Sequence, residues 1–169
     1  MILNVSKIIN VPGASMELSF NKKIDFIELG KDKISLIEPV EFVGEISCTD
    51  GKELFLTGKL STVLELPCNR CLVAVTTPIS ITINQRFTPD RTDNYNEDTN
   101  LIEGTEIDLK PVFIKEIILN IPMKTLCNAH CKGLCSVCGQ NLNKEICDCN
   151  EELLDERFAI LKTLFNGSK

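Results

Sequence analysis

Nine cysteines in 169 residues, eight of them in close pairs, constrain this chain more than any other feature. Cys68 and Cys71 form Cys-Asn-Arg-Cys, while Cys127/Cys131, Cys135/Cys138 and Cys147/Cys149 crowd into the 23 positions from 127 to 149. Cys48 stands apart in an alternating apolar stretch, where burial as a small hydrophobe is its expected role. The opening residues Met1-Ile2-Leu3-Asn4-Val5-Ser6-Lys7 have no basic start and no unbroken apolar core of ~7–15 residues, so no secretory signal is read. The expected compartment is therefore a reducing cytoplasm of the bacterial kind, where stable disulfides are uncommon, and an odd total cannot close into pairs. Metal binding or thiol redox chemistry remains.

Spacing favours metal. Cys135-Ser136-Val137-Cys138-Gly139 reads as a knuckle in which two thiolates approach one ion and the glycine takes a left-handed conformation. Eight residues later Cys147-Asp148-Cys149 offers two more thiolates, which completes the closed tetrahedral sphere of structural Zn²⁺. Four pairs group into two four-thiolate sites in three ways. The shortest connection sets Cys135 and Cys138 with Cys147 and Cys149. Cys68 and Cys71 are then left to join Cys127 and Cys131 across 55 intervening residues. One or two zinc ions are expected, with His130 as a replacement ligand for Cys131. An iron–sulfur cluster and oxidisable thiols are the alternatives.

Catalysis is not expected. A closed metal sphere excludes water, the sole histidine lies inside the cluster, and no Gly-x-Ser-x-Gly, phosphate-cradling glycine loop or His-Glu-x-x-His is present. A formal net charge of −6 excludes a simple polycationic nucleic-acid binder, and no apolar run reaches the ~18–20 residues that span a bilayer.

Up to about residue 87 the period is two. Ile2–Ile9, Ala14–Phe20, Ile34 to Ile46, Leu54 to Leu66 and Val73 to Phe87 read as strands, with Asp50-Gly51 as a hairpin turn and Gly58 as a bulge or bend. Residues 88–100 are acidic and nearly devoid of apolar side chains, the composition of a loop. Asp108 then caps a helix over 109–121, with Leu109, Val112, Phe113, Ile117, Ile118 and Ile121 on one face and Pro122 as its stop. A second helix follows Asn150, with Leu154, Phe158, Leu161 and Phe165 as its stripe. The expected fold is α+β: a curved antiparallel sheet, partly barrel-like, followed by two helices flanking a zinc knuckle. Its domains are a β-rich core over 1–121 and a knuckle segment with the C-terminal helix over 122–169.

Cys68-Asn69-Arg70-Cys71-Leu72 at the end of a β-rich half resembles the Cys-x-Arg-Cys-Leu signature of the YceD family, the bacterial large ribosomal RNA subunit accumulation proteins. Glu106-Ile107-Asp108-Leu109, the apolar helix to Pro122, and Cys127 through Asn141-Leu142-Asn143 to Cys149 resemble the family's cysteine-rich version. The likeness covers about residues 33 to 165. It implies a non-enzymatic role in large-subunit biogenesis, with large-subunit rRNA, a pre-ribosomal particle or a ribosomal protein as partner. Arg70 is the candidate for contact with a phosphate or acidic partner, because its fork binds either bidentately. Two alternatives remain: an acidic adaptor or chaperone for a basic ribosomal protein, drawing on Asp90, Asp93, Glu97 and Asp98, and a thiol redox sensor.

Overall fold

The computed structural model describes residues 1–30, 32–51, 53–89, 99–102 and 104–149. Its contacts fall into two units. One contains Met1–Leu66 and Val75–Thr125; the other joins Pro67–Ala74 to the chain from Leu126.

The first unit is built on β2 (Ser15–Lys22), β3 (Phe26–Leu29), β4 (Asp32–Leu36), β5 (Val40–Cys48), β6 (Leu54–Pro67) and β7 (Ala74–Thr88). β2 pairs with β5, β5 and β4 with β6, and β3 with β4, all antiparallel, while β7 lies on β6. Alternation explains this layer. Val40, Phe42, Ile46 and Cys48 of β5 and Leu54, Leu56, Leu60 and Leu64 of β6 are all at most 1% exposed. Glu41, Val43, Glu45 and Lys59 point the other way, as a period of two requires. The Asp50-Gly51 turn closes the β5–β6 hairpin, with Gly51 at φ +86° and the Glu53 N–H donating to Asp50 Oδ1 at 3.1 Å.

The run from Ile34 to Ile46 is not one strand. Against β6, four residues (37–40) face two (62 and 63), so the chain bulges between β4 and β5. Pro39 lacks the N–H that continuous pairing would use. Thr62, only 4% exposed, donates its hydroxyl to the Glu38 carbonyl at 3.0 Å and satisfies the displaced backbone. Gly58 does not bulge. It stands directly opposite Gly44, and a Cβ on either would lie 2.8 Å or less from Phe42 Cζ and 2.6 Å or less from cross-strand backbone. Both glycines are there for close approach.

Three further expectations change. The sheet is open, not barrel-like: its strand order runs from β2 to β3 with β7 branching from β6, and β7 carries the short parallel strand β8 (Thr99–Leu101). Closure is not needed to bury the apolar face, because α1 (Leu109–Leu119) covers it, with the Phe113 ring 5.0 Å from that of Phe42. Only Ile2–Asn4 of the first expected strand is extended. As β1 it pairs with β9 (Glu106–Asp108) in a separate two-stranded sheet, and the chain then turns so that Val5 and Ile8 are both buried. Within the expected loop 88–100, Thr88 ends β7 and Thr99 begins β8; residues 90–98, with Asp90, Asp93, Glu97 and Asp98, lie outside the described residues, as does the expected second helix.

Helix α1 follows the sequence expectation at its start but ends at Leu119, two residues short of the expected 121. The Asp108 side chain accepts from the Lys110 N–H at 2.9 Å, Asn120 is the C-cap, and Leu109, Val112, Phe113 and Ile117 are buried. Pro111 sits in the first turn, where no intrahelical N–H is needed. No helix among the described residues is long and apolar enough to cross a membrane.

Candidate metal centres

Among its described residues the second unit has little apolar interior and is organised by two backbone knuckles of the same design. In the first, which follows β6, the Leu72 N–H donates to the Cys68 carbonyl at 3.0 Å and the Cys68 N–H to the Val73 carbonyl at 2.8 Å. In the second, Gly139 N–H donates to the Cys135 carbonyl at 3.0 Å and Cys135 N–H to the Gln140 carbonyl at 2.8 Å. Offsets and lengths match. Each knuckle turns on a left-handed residue, Leu72 at φ +59° and Gly139 at φ +74°. For glycine that conformation is free of strain; for leucine it costs roughly 1–2 kcal/mol.

These knuckles bring eight thiols into two clusters. Cys68, Cys71, Cys127 and Cys131 form one, and Cys135, Cys138, Cys147 and Cys149 the other, with all four sulfurs of each within 4.8 Å of one another. In the first cluster Cys71 Sγ is 3.5 Å from Cys127 Sγ, and Cys68 Sγ 3.9 Å from Cys131 Sγ. Four sulfurs at ~2.3 Å from a tetrahedral ion lie about 3.8 Å apart, so the donor set fits a single four-coordinate ion. A multi-iron cluster fits less well, because it places thiolates on separate irons and spreads them wider. His130 is exposed and outside both groups; its N–H donates to Asn128 Oδ1 at 3.0 Å. Cys48, in β5, is buried and joins neither.

Local N–H groups hold negative charge on particular sulfurs. The Arg70 and Cys127 backbone N–H groups bring the Cys68 thiol down to about 6, and those of Cys138 and Val137 bring Cys135 down to about 6. Burial opposes ionisation of Cys131, but the Gly133 N–H and the Asn143 amide outweigh it and lower that thiol as well. Neighbouring thiols act in reverse elsewhere. Cys71 pushes Cys127 up to about 12, and Cys138 pushes Cys149 up to about 12. The pattern is that of four sulfurs sharing few protons, which a divalent cation would displace.

Arg70 donates from its guanidinium to the Cys131 carbonyl at 2.7 Å, and its own carbonyl accepts the Leu134 N–H at 3.1 Å. It therefore clamps the first knuckle to the 131–134 segment. Asn143, which the sequence marks only as part of the family motif, reaches the same segment. Its Nδ2 lies 3.3 Å from Cys131 Sγ, and its Oδ1 accepts the Lys132 N–H at 2.8 Å. Nothing in an Asn-Leu-Asn string marks it as a thiol partner rather than a turn residue.

The family model described as "Large ribosomal RNA subunit accumulation protein YceD" matches residues 56–165. A Bacillus subtilis protein named "Uncharacterized protein YlbN" is 31% identical over 122 residues, 70% of this chain and 69% of that protein. The Arabidopsis thaliana "Large ribosomal RNA subunit accumulation protein YCED homolog 1, chloroplastic" is 31% identical over 143 residues, which is 67% of this chain but 44% of the longer plant protein. An uncharacterised protein of Mycobacterium leprae is 28% identical over 96 residues, covering 54% of this chain and 44% of that one. No solved structure matches the chain. The match embraces the Cys68–Cys71 knuckle, the capped helix and the whole cysteine-rich segment, and on that extent the chain belongs to the YceD family.

Proposed function

We propose that this protein is a ribosome-biogenesis factor that supports accumulation of large-subunit rRNA by binding and not by catalysis, and that each cysteine cluster holds a structural Zn²⁺. The family match over residues 56–165 carries the ribosomal part of this reading. The chloroplast relative's name points the same way. The metal part is supported by eight sulfurs in two groups of tetrahedral dimensions, with backbone N–H donors aimed at them. Zinc would supply cross-links where apolar contacts are few, and would leave each site formally −2. Such a site does not attract phosphate by itself. Recognition then falls to neighbouring cations, and exposed Arg70, which spends one nitrogen on Cys131, retains donors for a phosphate or a carboxylate.

Depletion of the protein in cells, followed by quantification of both ribosomal RNAs, tests the ribosomal reading. The expected result is a selective fall in the large-subunit species; equal levels would overturn it. Metal analysis of anaerobically purified protein is expected to give about two zinc ions per chain. A content near zero, or iron in place of zinc, would overturn the zinc assignment.

A second reading, an adaptor for a basic ribosomal protein, draws support from the sheet's solvent face. Glu17 of β2 stands directly opposite Glu45 of β5, both exposed, and cross-strand like charges are unfavourable without a cationic partner. Crosslinking in cells separates the two: capture of rRNA supports the first, and capture of a basic ribosomal protein without rRNA supports the second.

A further inference from the structure

We infer that the two cysteine sites are energetically coupled, and that Asn143 is the positioning residue that couples them. The inference rests on the metal reading above and goes beyond it. The sites share one stretch of backbone: Cys131 is the last ligand of the first, Cys135 the first ligand of the second, and only Lys132-Gly133-Leu134 separate them. That spacer is pinned on both sides. From the first knuckle, Arg70 contributes its guanidinium to the Cys131 carbonyl and its carbonyl to the Leu134 N–H. Gly133 fits there because it has no side chain: at φ +82° a Cβ would stand 3.1 Å from the Arg70 carbonyl oxygen. From the other side, Leu134 bridges Asn141, and Leu142 N–H donates to the Gly133 carbonyl at 3.0 Å.

Asn143 closes this arrangement. Its backbone belongs to the eight-residue stretch between Cys138 and Cys147, so an ion on the second site fixes it at both ends. Its side chain leaves that loop for the first site, where Nδ2 lies 3.3 Å from Cys131 Sγ and Oδ1 accepts the Lys132 N–H at 2.8 Å. Asn141 Oδ1 holds it in place by accepting both the Asn143 N–H at 3.0 Å and Nδ2 at 2.8 Å. An amide that donates to a thiolate ligand favours the deprotonated, metal-binding form and fixes its direction. Filling the second site therefore orders the group that prepares the first. Linkage makes the effect reciprocal, so filling the first site must strengthen the second by the same factor.

Chelator-competition titrations of the metal-stripped full chain with Co²⁺ test this. One variant, Cys138→Ser with Cys149→Ser, isolates the first site; another, Cys71→Ser with Cys127→Ser, isolates the second. The second ion taken up by the intact chain is expected to bind about 10-fold or more tightly than the single ion of either variant, the usual size of an outer-shell effect on metal affinity. Asn143→Ala should bring that factor close to one and shift the thiolate-to-Co²⁺ absorption of the first site but not of the second. Asn143→Asp, which retains the acceptor for Lys132 and lacks the amide donor, should do the same, and it decides the matter if the alanine variant loses its fold. Equal affinities in the intact chain and in both variants would overturn the coupling and leave the metal reading intact. Absence of Co²⁺ binding at either site in the intact chain would overturn the metal reading itself.

Discussion

The two cysteine sites use the same knuckle and differ in everything around it. Cys68, Cys71 and Cys131 of the first are at most 4% exposed, and its ligands come from two stretches of chain 55 residues apart. In the second only Cys135 is buried, and all four ligands fall within 15 consecutive residues. Bringing the distant pairs together costs roughly 2 kcal/mol more in loop entropy than bringing together pairs separated by eight residues. The first site must recover that cost from its surroundings, and it has the means: burial, the Arg70 clamp and the Asn143 amide. The second draws all four of its ligands from one short loop. A long-range site is thus a product of the folded chain, whereas a local one can nucleate structure on its own.

Several measurements would break or sharpen this contrast. The largest effect should come from removing both ions with a strong chelator. Circular dichroism is expected to retain the strand signal of the first unit, whose core contains Phe42, Phe113 and the leucines of β6, while the second unit loses protease resistance. Acid should do the same. A thiol lowered to about 6 stabilises the fold fully above the ordinary value of 9.0 and loses that contribution as the pH falls through about 6. Protons compete with metal for the same sulfurs, so zinc retention should fall steadily as the pH is lowered from ~7.5, as read by a zinc indicator dye.

Next in size, Cys71→Ser should cost about 4 kcal/mol or more in thermal or urea unfolding, because it removes an ion and leaves buried thiols uncompensated. Cys138→Ser, at an exposed position of the local site, should cost less than half as much. Equal losses would erase the distinction between the sites. A synthetic peptide of residues 126–149 should bind one Co²⁺ ion with a tetrahedral four-thiolate spectrum. Two ions, or none, would contradict the local character of the second site. The smallest effect lies at the turning residues. Leu72→Gly relieves roughly 1–2 kcal/mol of left-handed strain and adds about 0.5–1 kcal/mol of unfolded-state entropy, for a net gain of about 0.5–1 kcal/mol. Gly139→Ala should move stability by about 1 kcal/mol in the opposite direction.

How much of this was legible in the sequence depends on the range of the interaction concerned. Cysteine spacing is local chemistry, and so are the Asp108 cap, the Asp50-Gly51 turn and the alternation in β5, β6 and β7; each could be read from a few neighbouring residues. The break at 37–40 depends on Thr62 meeting Glu38 from another strand; Glu38 and Pro39 interrupt the apolar alternation there, but do not by themselves show where the displaced backbone finds its partner. Residues 2–9 alternate well enough to read as a strand, yet turn after Asn4 because Val5 and Ile8 are buried together. Openness of the sheet is equally remote from any single segment, since it follows from Phe113 and its helix covering a face that a closed barrel would have covered itself. Arg70 was legible as a cation in a knuckle, but its bond to Cys131 spans 61 positions.

The Gly44–Gly58 pair bears on how relatives of this chain should be compared. A methyl group at 44 would meet the Thr57 carbonyl at 2.2 Å, and one at 58 would meet the Val43 carbonyl at 2.6 Å, quite apart from the Phe42 ring. Trimming the ring would not be enough, because two backbones would also have to separate, and no single codon change does both. Position 58 falls inside the matched family region and lies close in sequence to the first knuckle. An invariant glycine in that column of an alignment would record the distance between two strands, and it should be set aside before invariance is used to map where a partner lands.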